Sequence, residues 1–147
     1  MQADIQMTSR IASRPATRAI PYSTTLWFKL AVLYLIGGIG IGIAMAASHT
    51  FTLRPVHAHI NLLGFTVMAL AGLIYSVYPE AGASRLARIH FWLHNIALPV
   101  MMGSLAALLF GNEAVVPILG GSEILAAAGV LVFAANIFIN VQPRPQR

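Results

Sequence analysis

The chain contains no cysteine. Disulfides, thiolate metal ligands, iron–sulfur clusters and the C-x-x-C-H attachment of a c-type haem are therefore excluded. Charge is scarce as well: 9% of the 147 residues are charged, where a soluble domain carries roughly 25%. The formal net charge is +5, but the basic residues fall where they report topology, and no nucleic-acid partner is expected. What the chain has in excess is apolar surface. It is 58% hydrophobic with a mean hydropathy of +0.77, the composition of a membrane protein, and its length is that of one domain.

Four apolar runs are long enough to cross a hydrocarbon core, which takes roughly 20 residues. They lie at about Leu26 to Ser48, Pro55 to Tyr78, Ile89 to Phe110 and Val116 to Val141. The expected fold is an all-α membrane protein of four transmembrane helices. The connections His49 to Arg54, Pro79 to Arg88 and Gly111 to Val115 are short, which implies antiparallel neighbours. Residues 1–25 read as a basic disordered tail, with Pro15 and Pro21 against a helix; residues 26–141 are the transmembrane domain and 142–147 a second tail. Ala44-Met45-Ala46-Ala47 has the form of a signal cleavage site. The apolar run before it exceeds the roughly 7–15 residues of a signal sequence, so the first span is expected to stay attached.

Eight of the nine Lys and Arg residues fall on one side of this topology: Arg10, Arg14, Arg18, Lys29, Arg85, Arg88, Arg144 and Arg147. The positive-inside rule makes that side cytoplasmic and puts both termini there. Arg54 alone is on the outer side, so a local partner is expected for it. In the first span, Gly38-x-x-x-Gly42, continued by Ala46, lets helix backbones approach closely. The pattern serves either helix packing within the chain or a contact between copies. In the fourth span, Glu123 lies about two turns in and can snorkel to the outer interface. Asn136 and Asn140 share a face and are expected to form interhelical hydrogen bonds.

The richest stretch is Leu53-Arg54-Pro55-Val56-His57-Ala58-His59-Ile60-Asn61, which opens the second span. Ionisable side chains in such a place mark a functional site. His57 and His59 point about 200° apart on a helix and cannot both face one metal. His49 follows the first span and reads as a solvated interfacial residue. His90 and His94, four apart, share a face of the third helix. They can bind a metal, although no acidic third ligand is near in sequence; otherwise His90 is interfacial and His94 bonds a neighbouring helix through its ring. The second helix places its pair near the outer surface and the third near the inner one, more than ~10 Å apart along the membrane normal. A haem iron shared by His59 and His94 of one chain is therefore not expected.

Leu53-Arg54-Pro55-Val56-His57 resembles the start of the second transmembrane helix in subunit I of haem–copper oxidases, in the branch of cbb3-type oxidases and nitric oxide reductases. There the histidine ligates the low-spin haem b. Phe91-Trp92 is similar to the aromatic start of that family's third helix. The likeness spans four of the family's twelve helices. The copper ligands, the histidine-tyrosine crosslink and the second axial haem ligand lie on helices this chain lacks, so oxygen reduction and proton pumping are not carried over.

The family's twelve helices form three four-helix arcs, and its tenth helix bears a His-x-His pair facing two pockets. The resemblance thus implies that three copies of this chain imitate one oxidase subunit. His57 of one copy and His59 of the next would hold a non-covalent haem b, with Arg54 on a propionate and Asn61 orienting a ligand histidine. The expected function is electron transfer in a homotrimer of a bacterial inner membrane, with a redox partner or quinol. A five-coordinate haem sensor or small reductase for oxygen or nitric oxide is the first alternative. A copper, zinc or non-haem iron protein, or a metal-free structural protein, is the second.

Overall fold

The computed structural model describes residues 22–142, and all their regular structure is helical. The tails expected at the two ends lie mostly outside the described residues. Between them run α1 (Tyr22–Ser48), α2 (Arg54–Val77), a short α3 (Pro79–Ala83), α4 (Arg85–Leu109) and α5 (Val116–Asn140). A 3-10 turn, Glu113–Val115, leads into α5. Four of these helices are long and apolar enough to cross a membrane, which is the build of a multi-pass membrane protein. Many large apolar side chains, among them Ile36, Leu62, Trp92, Ile124 and Phe138, point outward, as a lipid environment requires.

Local chemistry sets the helix ends. Pro55, Pro79 and Pro117 each stand in a first helical turn, where the missing N–H costs nothing. The side chain of Ser84 caps α4 by accepting from the Ala87 N–H at 3.0 Å. The last turn of α4 closes with Gly111 N–H on the Leu108 carbonyl at 2.8 Å and Asn112 N–H on the Ala107 carbonyl at 3.0 Å. That pair of bonds needs a left-handed residue between them, and Gly111 has φ +92°. After α1, His49 also has a positive φ, 52°, although it is not glycine. The segment expected as a loop from Pro79 to Arg88 is therefore helical on both sides of Ser84. Hydropathy does not see the polar first turn of α4, whereas its cap does.

Along the contact between α1 and α2, residue numbers fall on one helix as they rise on the other. Gly42 meets His57, Gly38 meets Asn61, Tyr34 meets Gly64, and Trp27 meets Gly72. α4 and α5 form the second close pair, with Gly129 against Leu93. Two apolar clusters bind the pairs together. One gathers Trp27, Ala31, Met68, Ala71, Tyr75, Ala81 and Ala87. The other gathers Val56, Leu98, Met101, Met102 and Leu119. α4 continues as helix on both sides of Pro99.

The middle of α2 departs from the plain helix that its periodicity predicts. Ile60–Val67 is wound as a π-helix. Short π segments recur where side chains enter the backbone ladder, and three do so around this one. Asn61 Nδ2 donates to the His57 carbonyl at 2.9 Å, Thr66 Oγ1 to the Asn61 carbonyl at 3.2 Å, and His94 Nε2 to the Leu63 carbonyl at 3.0 Å.

Candidate functional site

The first turns of α2 place Arg54, His57, His59 and Asn61 just before and into the π segment. His57 faces α1. Its Nδ1–H donates to the Gly38 carbonyl at 2.8 Å, an oxygen that can only accept. Its ring fills the notch at Gly42, where an added Cβ would stand 3.0 Å from Cε1. Asn61 fills the notch at Gly38, where a Cβ would stand 2.5 Å from Oδ1. Gly37 and Gly40, on other faces, would meet nothing within 4 Å. Gly38 and Gly42 of the small-residue pattern are thus used inside the chain, to admit two polar side chains of α2.

His59 faces the other way, as the helical phase predicts. It is exposed, and its Nδ1–H donates to the Pro55 carbonyl one turn back at 2.8 Å. In a neutral imidazole with a protonated Nδ1, Nε2 carries the lone pair. Both members of the His-x-His pair therefore keep Nε2 as an acceptor, on different sides of α2. Arg54 is exposed, with its guanidinium 5.4 Å from the centroid of the Phe51 ring, which supplies the local partner expected for it. Asn61 reaches the His57 carbonyl at 2.9 Å but stands 3.4 Å from the ring nitrogen, so it steadies the peptide more than the ring. The group that sets the ring is the Gly38 carbonyl. A backbone oxygen leaves no letter in the sequence, and the Gly38-x-x-x-Gly42 spacing is the only trace of it.

A cleft of about 260 Å³ opens between α2, α4 and α5. His59, Leu63, His94, Met101, Glu123 and Ala126 are among its lining residues. Glu123 is exposed there. His59 and His94 line this one cleft, and His94 bonds the carbonyl of Leu63, one helical turn or ~6 Å from His59, so these two lie closer in depth than the ~10 Å expected from their places in the sequence. His94 has its Nε2–H committed to the Leu63 carbonyl, the interhelical bond expected of it. His90 is not the interfacial residue that its place beside Arg88 suggests. It is 0% exposed, between the rings of Trp27 and Phe133, each with its centroid 4.8 Å away. Tyr75 and Asn136 continue inward from it. Asn136 donates to the Tyr75 hydroxyl and the Ala81 carbonyl, which are interhelical bonds, while Asn140 bonds to Asn136 within α5. Among the described residues no three His, Asp or Glu side chains converge as a metal-ion site. His49 is exposed in the turn after α1 and joins none of these groups.

A scan against protein-family models finds no match, and searches of the curated proteins and of the solved structures find none either.

Proposed function

We propose that the chain is a b-type haem protein of the membrane, in which His57 of one copy and His59 of the next bind the same haem. One observation carries this reading: both histidines give Nδ1–H to a backbone carbonyl at 2.8 Å and keep Nε2 free. Metal-ligating histidines are held in this way, because the second bond fixes both tautomer and ring plane. The two rings leave α2 on different sides, so one chain offers half of each of two sites. A closed ring of copies completes them, and three is the favoured number. The likeness of Leu53 to His57 to the second helix of haem–copper oxidase subunit I supports the same count, since three such units would equal its twelve helices. Arg54 is exposed one turn before His57, where its guanidinium can exchange the Phe51 ring for a propionate.

Held by His57 of one copy and His59 of the next, a haem would supply one-electron chemistry. The role that follows is electron transfer, with a redox partner or a quinol. The falling and rising contact order of α1 and α2 supports antiparallel hairpins. The distribution of Lys and Arg supports both termini on the inner side of a bacterial cytoplasmic membrane.

A second reading has its own support. His57 is half-buried against its own α1, whereas His59 is exposed. Binding through His59 alone would leave a five-coordinate haem, suited to a sensor or small reductase of oxygen or nitric oxide. The test is the optical spectrum of the purified protein with a haem-to-chain ratio. Sharp α and β bands on reduction, unchanged by carbon monoxide, are expected. A carbon monoxide adduct selects the five-coordinate reading, and a colourless protein rejects both.

A further inference from the structure

Two hollows lie at the end of the molecule where α1 and α4 begin. The first, of about 190 Å³, opens between the start of α1 and the corner that joins α3 to α4. Leu26, Trp27 and Phe91 give it apolar walls, and Ser84 and Arg88 give it polar ones. The Trp27 and Phe91 rings meet edge to face with centroids 5.1 Å apart. Trp27 also packs on the His90 ring, which fixes this wall from behind. The second hollow is a shallow groove on α1 itself, lined by Phe28, Lys29, Val32 and Leu33, apolar but for the lysine.

The two hollows are joined along one face of α1. Leu26, Lys29 and Leu33 follow at steps of three and four, the spacing of a single helix face. Long side chains on a helix lean toward its N-terminus, which brings the Lys29 ammonium back toward the turn of Leu26 and the pocket.

Charge here is of one sign. Lys29, Arg85 and Arg88 are exposed, and among the described residues none of them forms an ion pair. No carboxylate lines either hollow; Glu80 is exposed on α3 and belongs to neither. A guanidinium at a pocket wall recognises a phosphate through two parallel N–H bonds. Basic pockets between membrane helices on the cytoplasmic side take anionic lipid head groups, and this is the end proposed above as the inner one.

We infer that one anionic phospholipid binds here, with its phosphate on Arg88, Lys29 beside it and an acyl chain along the groove of Phe28, Val32 and Leu33. The occupant must be polar at one end and apolar at the other, because the pocket and the groove differ in that way. A free phosphate would leave the groove unused. A zwitterionic lipid would bring an ammonium among cations, with no carboxylate in the walls to meet it. The bound lipid ties α1 to the corner of α3 and α4. The inference needs only the membrane spans and is independent of the haem reading.

The test uses the full-length protein in detergent, given phosphatidylglycerol or phosphatidylcholine with the same acyl chains. Native mass spectrometry and the melting temperature are the readouts. One phosphatidylglycerol per chain is expected to stay bound where phosphatidylcholine is stripped, and to raise the melting temperature. Equal retention of the two lipids, or retention of neither, overturns the inference. Arg88→Gln should weaken phosphatidylglycerol binding about tenfold, the worth of a lost charge-assisted bond. Arg85→Gln removes the same charge outside both hollows and should weaken it far less; equal losses would reduce the effect to net charge and overturn the site. Glycerol phosphate should not displace the lipid, and displacement would assign the pocket to a free phosphate ester instead. If Arg88→Gln does not fold, the lipid comparison and the competition on the unaltered chain decide.

Discussion

The His57 Nδ1 and the Gly38 carbonyl oxygen are 2.8 Å apart, and the bond crosses from α2 to α1. It exists because Gly38 and Gly42 have no Cβ at the two points where Asn61 and His57 enter. Gly38→Ala would place its Cβ 2.5 Å from Asn61 Oδ1. Overpacking of this kind costs about 1–3 kcal/mol. Gly40→Ala, which meets nothing within 4 Å, should be neutral or stabilising by up to ~1 kcal/mol. Thermal unfolding in detergent should rank the variants in that order, and haem content, if haem is bound, should fall in Gly38→Ala alone.

In the proposed arrangement, where two copies share each pocket, the two histidines are equivalent in consequence. His57→Ala and His59→Ala should each abolish haem binding, as read by the haem-to-chain ratio. Full retention in either variant refutes the arrangement of one ligand from each copy. Mixing the two variants tests it further, because a pocket that pairs His57 of one chain with His59 of the other should recover part of the haem.

Asn136 is 0% exposed and bonds groups on α2, α3 and the α4 cap, whereas Asn140 bonds only Asn136. Asn136→Leu leaves Tyr75, Ser84 and the Ala81 carbonyl short of partners. A loss of about 1–3 kcal/mol is expected, the cost of leaving buried polar groups unmet. Asn140→Ala should cost no more than ~0.5 kcal/mol, the range of a side-chain pair four apart on one helix. Equal losses would mean that the network does not hold α5 in place.

Gly111 has φ +92°, and an open space where a Cβ would go. Gly111→Ala should still cost about 1–2 kcal/mol, from backbone strain alone. Gly121→Ala, in the body of α5 with equally open space, carries no such penalty. A matched pair of melting curves checks this.

The absence of cysteine permits a direct test of orientation. Thr52→Cys and Glu80→Cys place single thiols at exposed positions in the first and second connections. In intact cells a membrane-impermeant maleimide should label Thr52→Cys, and Glu80→Cys only after permeabilisation. The reverse pattern would invert the proposed topology.

Much of this architecture is legible from hydropathy and spacing. Four apolar runs give four helices, because a buried backbone in lipid must satisfy itself and helices do so locally. The two-residue step from His57 to His59 sends them to different sides, and the structure places them so. Other features were out of reach. His90 lies beside Arg88, and that neighbour argues for an interface, but the Trp27 and Phe133 rings come from distant positions to enclose it. The π winding of Ile60–Val67 depends on side chains from α2 and α4 reaching its carbonyls, and no local propensity predicts it.

The sequence by itself determined the number of membrane-length helices, the approximate starts of the second and fourth at Pro55 and Val116, and the divergence of the histidine pair. Each follows from periodicity or from the chemistry of one residue. Tertiary structure alone decided what each histidine touches: the Gly38 carbonyl for His57, the Leu63 carbonyl for His94, the Tyr75 hydroxyl for His90. Two of those partners are backbone oxygens, which every residue possesses. Only the packing of one helix against another selects which oxygen is within reach.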